Sequence, residues 1–338
     1  MGGMELPTPN RAGPAPNRPG DRPAAHWWTK VPPAAGSAVM ATGIVSVGLD
    51  LVGRETSSQV LLALASAGWL LLALAFALTL LRDRDRWAAN ATTPPALTAV
   101  AATTVVGTRF ALAGWHGTAG VLLAIAAAAW PPLLISVLRH WKHHLPGVAF
   151  LVCVATEGLA VLAGTLAPAG SGDWLAPAAL AAFALGLVLY VAALLRFDPR
   201  QILTGAGDQW ISAGALAICA LAGSKLTAWP EWTGAGHTVL RDATLVLLTL
   251  DLAGYLVLLA AEIRHPRPRY NIRRWATVFP LGMSAVATLS TGTAAHLPWL
   301  NGLGHPLLWI AVAAWLITAA ALCLDLARAR RTAASGGT

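Results

Sequence analysis

Ten long apolar stretches, charge confined almost entirely to the segments between them, and an alternation of small-residue-rich with leucine-rich stretches predict an all-α integral membrane protein. The expected architecture is ten transmembrane helices paired as five helical hairpins, with the odd-numbered helices forming an inner ring around a pore. At 338 residues, 56% hydrophobic and only 11% charged, the chain is too apolar for a soluble domain of its length. A helix needs about 20 predominantly apolar residues to cross the hydrocarbon core, and stretches of that length recur along the chain.

The spans fall in order at residues 34–52, 59–81, 95–114, 117–138, 147–167, 174–195, 210–228, 238–262, 275–294 and 304–327. Together they make a transmembrane domain over residues 34–327, with no room for a soluble domain between spans. Residues 1–33 are rich in Pro, Gly, Asn and Arg and lack the charged start and apolar segment of a signal peptide, so a disordered cytoplasmic tail is expected there. Residues 328–338 are expected to form a second cytoplasmic tail.

Of the 23 Lys and Arg residues, 19 lie in the tails and in the loops of one side, against Arg54 alone in the loops of the other. The positive-inside rule therefore places both termini in the cytoplasm and the chain, multi-pass, in the cell membrane. The net charge of +8 follows from this topology and does not call for a nucleic-acid partner. Tryptophans such as Trp28, Trp115, Trp141, Trp174, Trp229 and Trp275 sit near span ends, where lipid headgroups favour an aromatic belt. Trp130, just before Pro131 and Pro132, departs from that pattern.

Odd spans carry 30 Gly, Ser and Thr residues, whereas the longer even spans carry 14. Small and hydroxylated residues permit close helix approach and can line a polar path, while leucine-rich helices suit contact with lipid. The ring of odd helices and the outer layer of even ones follow from that difference.

Within this frame a few residues are candidates for chemistry. Pro280 interrupts the ninth span and removes the hydrogen bond to the Ala276 carbonyl, so the helix is expected to kink there. Such a break marks either a transport pathway or a packing adjustment. Thr277, Ser284, Thr288 and Thr291 share one face of that span, a stripe of hydroxyls able to donate to a dehydrated anion; Phe279 projects opposite, with Gly282. Thr42, Gly43 and Ser46 in the first span and Thr104, Gly107 and Thr108 in the third form comparable small polar patches. Gly214 in the seventh span and Gly282 in the ninth complete the expected pore lining. Glu157, in mid-span, is either a proton carrier or a structural acid, the latter neutral or paired with Arg109. Arg109 either snorkels to the interface or attracts anions at an outer vestibule. Asp251 is expected to make a buried interhelical hydrogen bond.

The chain lacks a GxxxxGK[ST] loop, an HExxH pair, paired Asp-rich motifs and an arginine-repeat voltage sensor, which argues against ATP-driven pumping and membrane enzymology. No cofactor is expected. Cys153, Cys219 and Cys323 all lie in apolar stretches and read as packing residues, so no metal site is expected; His140, His143 and His144 read as solvated surface.

The Met40-Ala41-Thr42-Gly43-Ile44 segment, Gly207-Asp208-Gln209-Trp210 before the seventh span and Trp275-Ala276-Thr277-Val278-Phe279-Pro280-Leu281 opening the ninth resemble the tellurite-resistance/C4-dicarboxylate transporter family, over roughly residues 32–326. That family includes slow-type anion channels of plant guard cells, bacterial TehA proteins, yeast malate permeases and fungal sulfite pumps. The resemblance implies a homotrimer in which each protomer has its own pore, and a gate at Phe279 that plugs the pore and swings aside beside Pro280. The face count alone would not choose Phe279; the resemblance does, and the proline kink begins at the next residue. A pore without strong fixed charge is also implied, so an ionised Glu157 facing it would be out of place.

The expected activity is transport of small anions, chloride or nitrate or a C4-dicarboxylate such as malate, through a channel or a proton-linked carrier embedded in membrane lipid. Sulfite or tellurite-related efflux is the alternative within transport. A membrane sensor or scaffold without transport is the alternative from another class.

Overall fold

A computed structural model describes residues 27–142, 144–170, 172–266 and 270–335. Among them ten long helices form α1 (Gly36–Leu51), α2 (Glu55–Arg82), α3 (Thr98–Leu112), α4 (His116–Arg139), α5 (Leu151–Leu166), α6 (Leu175–Leu194), α7 (Ile211–Thr227), α8 (Gly234–Arg264), α9 (Trp275–Ala294) and α10 (Pro298–Ser335). Each odd helix packs against the even helix that follows it, which gives five hairpins. The turns are tight enough to need left-handed backbone. Gly53 (φ 73°) and Gly114 (φ 81°) supply it after α1 and α3 without a side-chain clash. At both, the amide three residues past the helix end reaches back to a carbonyl, Arg54 to Leu49 at 2.8 Å and Trp115 to Phe110 at 2.9 Å, satisfying oxygens the helix leaves open.

The odd helices close on one another in the order α1, α3, α5, α7, α9 and back to α1. Each even helix lies outside this ring, in the groove between its own hairpin partner and the next odd helix. In the most apolar stretch of α1, α3, α5 and α7, 72% to 94% of residues are buried, against 17% to 33% in the even helices. Exposed Leu70, Leu71 and Leu74 of α2, Val188 of α6 and Ile317 of α10 are the lipid-facing side of this layer. The small-residue asymmetry thus marks position in the fold.

Nine of the described helices are long and apolar enough to cross a membrane. The remaining one, α9, has the length for it at 20 residues, about 30 Å, but is rich in Thr, Ser and Gly. It can carry them because it is enclosed by α1, α7 and α10 and is buried from Trp275 to Gly292 except at Thr277. Every odd helix is entered through a single 3-10 turn, at Pro33–Ala35, Pro94–Leu97, Gly147–Phe150, Asp208–Trp210 and Ile272–Arg274.

Three local expectations are corrected. Trp27–Lys30 forms a 3-10 turn within residues 1–33, the stretch expected to be a disordered tail, and a second turn, Pro33–Ala35, starts at its last residue. The last helix runs on to Ser335, past residue 327, because the Ala- and Arg-rich end keeps good helix formers after the apolar stretch stops. A further short helix, Arg84–Ala91, fills the loop after α2, capped by the Asp83 side chain accepting from the Arg86 amide at 3.1 Å.

The inner contacts leave no slack. A methyl group on Gly214 of α7 would lie 2.8 Å from Pro280 Cβ and 3.0 Å from its Cα, a backbone atom that cannot rotate away. Gly214→Ala should therefore lower stability by about 1–3 kcal/mol through overpacking, read as a lower unfolding midpoint in detergent micelles. Gly117→Ala on α4, where nothing lies within 4 Å, should leave that midpoint unchanged or raise it; equal losses in both variants would contradict the packing argument.

Candidate functional site

A narrow cavity of about 10 Å³, room for about one water, lies where the five inner helices meet. All five contribute to its wall: Ile44 and Val47 from α1, Thr104, Val105 and Thr108 from α3, Gly158 and Val161 from α5, Ile218 and Leu221 from α7, and Met283 from α9. No charged side chain is among them. Its two hydroxyls each spend their proton on the preceding turn, Thr104 on Ala101 O at 2.9 Å and Thr108 on Thr104 O at 2.8 Å, so they turn oxygen lone pairs toward the space.

Of the residues expected to line a pore, Thr104 and Thr108 reach this cavity. The others have different partners. Thr42 accepts from the Trp315 indole of α10 at 3.0 Å. Ser46 and Ser58 of α2 exchange bonds, each hydroxyl donating to the other residue's carbonyl at 2.7 Å. Gly43 gives way to Val105, Gly107 to Leu162, Gly214 to Pro280 and Gly282 to Ile44, so these four close the ring. Sequence reasoning missed Ile44, Val47, Val105, Gly158, Val161, Ile218, Leu221 and Met283. Their spacing of three residues within α1, α5 and α7 was visible, but an apolar side chain suits a lipid face or a core equally well.

The hydroxyl stripe on the ninth span turns away from the cavity. Ser284 donates to Asp251 Oδ1 of α8 at 3.0 Å, and Thr277 donates to Gly207 O at 3.2 Å. The opposite face looks inward, with Gly282 on Ile44 and Met283 in the cavity wall. Phe279, 1% exposed, stands one turn before Met283 on the same side by its four-residue spacing. Pro280 lies within an unbroken helix and packs on Gly214.

The ionisable residues separate into satisfied and unsatisfied groups. Arg109, 1% exposed, does not snorkel and does not pair with Glu157. Its guanidinium bonds Asp50 at 2.9 Å, Glu55 at 3.4 Å and the Ser58 hydroxyl at 2.8 Å, while Nη1 has no hydrogen-bond partner among the described residues. The expected Asp251 bond across helices is the one to Ser284. Glu157 is fully buried, and its carboxylate packs against Gly186 of α6. Trp130 is no interfacial residue: its indole donates to Thr156 of α5 at 2.9 Å.

The Gly207-Asp208-Gln209-Trp210 segment forms the turn that leads into α7. Gly207 has φ 126°, its amide donates to Gln209 Oε1 at 2.8 Å, and Asp208 lies 4.0 Å from Arg273. His140 Nδ1 lies 2.7 Å from Ser136 O, within its own helix, and His143 falls outside the described residues.

Among known families, the model for the voltage-dependent anion channel matches residues 30–323. The chain belongs to that family. Two uncharacterized membrane proteins of Mycobacterium tuberculosis, from strains CDC 1551 / Oshkosh and ATCC 25618 / H37Rv, are each 35% identical over 147 residues, 41% of this chain and 74% of theirs. The resemblance carried by the first, seventh and ninth spans is thereby borne out. A voltage-dependent anion channel family protein with a multi-pass helical body implies anion transport.

Because Asp50 and Glu55 offset the Arg109 charge, removing the arginine leaves the partly buried Asp50 without its partner, while Glu55 is exposed and stays solvated. Arg109→Met should cost about 3 kcal/mol, the low end for breaking a buried pair since Asp50 keeps some solvent contact. Adding Asp50→Asn should recover part of that loss in a double-mutant cycle of micelle unfolding; strict additivity would mean the pair contributes nothing.

Proposed function

We propose that the protein is a channel for small monovalent anions such as chloride or nitrate, passing along the axis of the inner ring. The observation that carries this is the axial cavity, walled by all five inner helices and free of charged side chains. A cationic wall would bind an anion too tightly to release it, whereas an uncharged narrow wall passes anions in order of their dehydration cost. A dicarboxylate such as malate would bring two charges and a larger body into a space of about 10 Å³. Glu157 is not among the lining residues, which favours a channel over a proton-linked carrier.

In this reading Phe279 is the gate. Its ring must leave the inner face for an ion to pass, and Pro280, which removes one helical hydrogen bond beside it, lowers the cost of local bending. Arg109, next in sequence to Thr108, keeps one guanidinium nitrogen without a hydrogen-bond partner among the described residues, but Asp50 and Glu55 offset its charge, so it anchors the outer end of α3 instead of drawing anions to the path. The protein sits in the cytoplasmic membrane with both termini inside, on the strength of its basic loops. It assembles as a homotrimer of independent pathways, supported by resemblance and by the apolar outer layer.

Flux measured in proteoliposomes tests the reading. Voltage-driven chloride and nitrate flux should be insensitive to an imposed pH gradient. Phe279→Ala should raise it about tenfold, the change that about 1.4 kcal/mol off the barrier produces. Malate uptake that requires a proton gradient, without chloride current, would replace the channel with a carrier. Unchanged flux in folded Phe279→Ala protein would remove the phenylalanine from the gate.

A further inference from the structure

The grooves in which the outer helices lie share a device. In three of them a tryptophan of the outer helix donates to a threonine of the next inner helix: Trp69 of α2 to Thr103 of α3 at 2.8 Å, Trp130 of α4 to Thr156 of α5 at 2.9 Å, and Trp315 of α10 to Thr42 of α1 at 3.0 Å. In a fourth, Asp251 of α8 accepts from Ser284 of α9 at 3.0 Å. The fifth, where α6 lies between α5 and α7, has no such side-chain bond among the described residues. There α6 presents Gly186 and α7 presents Cys219.

That groove holds a cluster of another kind. Cys153 and Glu157 are four residues apart on one face of α5, and Cys219 faces them from α7. Their donor atoms all lie within 4.8 Å of one another, and the two sulfurs are 3.6 Å apart. All three residues are 0% exposed, and neither Glu157 oxygen has a hydrogen-bond partner among the described residues. A Cβ at position 186 would collide with the Glu157 carboxylate, so the glycine keeps the acid in place. Burying an acid without partners is costly, and Gly186 leaves the room that houses this one.

We propose that Cys153, Glu157 and Cys219 form a binding site for a thiophilic divalent cation of the zinc type. Two sulfurs held about 2.3 Å from a tetrahedral ion sit about 3.8 Å apart, close to the spacing found here. On binding, each thiol gives up its proton and forms a metal–sulfur bond, releasing two protons. The two thiolates balance the charge of the ion, and the unpartnered carboxyl oxygen becomes the third ligand. The bound ion joins α5 to α7 in the groove that lacks a hydrogen bond. Gly158 and Ile218, each next in sequence to a ligand, line the axial cavity, so the ion braces one wall of it. The inference rests on the fold and is independent of which anion passes.

The test uses full-length protein with Cys323→Ser, since Cys323 is exposed. Expression in cobalt-supplemented medium lets the ion enter before the helices close; purified protein is assayed for metal content and absorbance. One cobalt per chain with a thiolate-to-cobalt charge-transfer band, displaced by zinc, is the expected result. Cys153→Ala with Cys219→Ala should abolish band and metal together, and Glu157→Gln should keep the band while weakening affinity about tenfold or more. Protein that is metal-free, or that holds cobalt without the band, overturns the site, as does a band that survives loss of both cysteines. The Cys323→Ser protein alone decides the matter if the inner variants fail to fold.

Discussion

Everything in this structure depends on how closely five inner helices can approach. Lipid tails are as apolar as leucine, so burial of apolar surface gives helices little reason to associate within a bilayer, and packing and hydrogen bonds must hold them. Gly43 against Val105, Gly107 against Leu162, Gly214 against Pro280 and Gly282 against Ile44 admit backbones to distances that a methyl group would forbid. Closure at that distance leaves an axial space about one water wide, and its apolar character is a by-product of the same packing.

The outer layer shields the ring from lipid and also fixes its rotation. Indole donors from α2, α4 and α10 find hydroxyls on inner helices that precede or follow their own hairpin partner, so each outer helix is tied to two neighbours at once. In a medium without water those bonds have no competitor, and a threonine that accepts one is held facing outward. Polar residues on inner helices therefore serve two purposes, and only some of them meet the axis. The same economy applies to charge: Arg109 is neutralised where it is buried, Asp251 accepts a hydroxyl, and Glu157 stands apart with two thiols for company.

Membership of an anion channel family gives the ring its meaning. Its axial cavity has no charged side chain in its wall, and buried Phe279, with Pro280 directly after it, stands one turn before Met283 of that wall.

Much of this was legible in the chain. Span positions, the pairing into hairpins and the separation of inner from outer helices follow from apolar length and from where Gly, Ser and Thr accumulate, because those are local costs that each helix meets alone. Thr104 and Thr108 line the cavity between the inner helices, and Asp251 makes a buried bond across helices. Which face of a small-residue helix looks inward was decided only by the tertiary structure. Thr42 and Ser284 turned outward because Trp315 and Asp251, far away in sequence, offered partners there. Cys153, Glu157 and Cys219 became neighbours only when α5 met α7. The sequence determined which helices could come together; the contacts between them decided what each polar group faces, because in a bilayer its partner must come from another helix or its own.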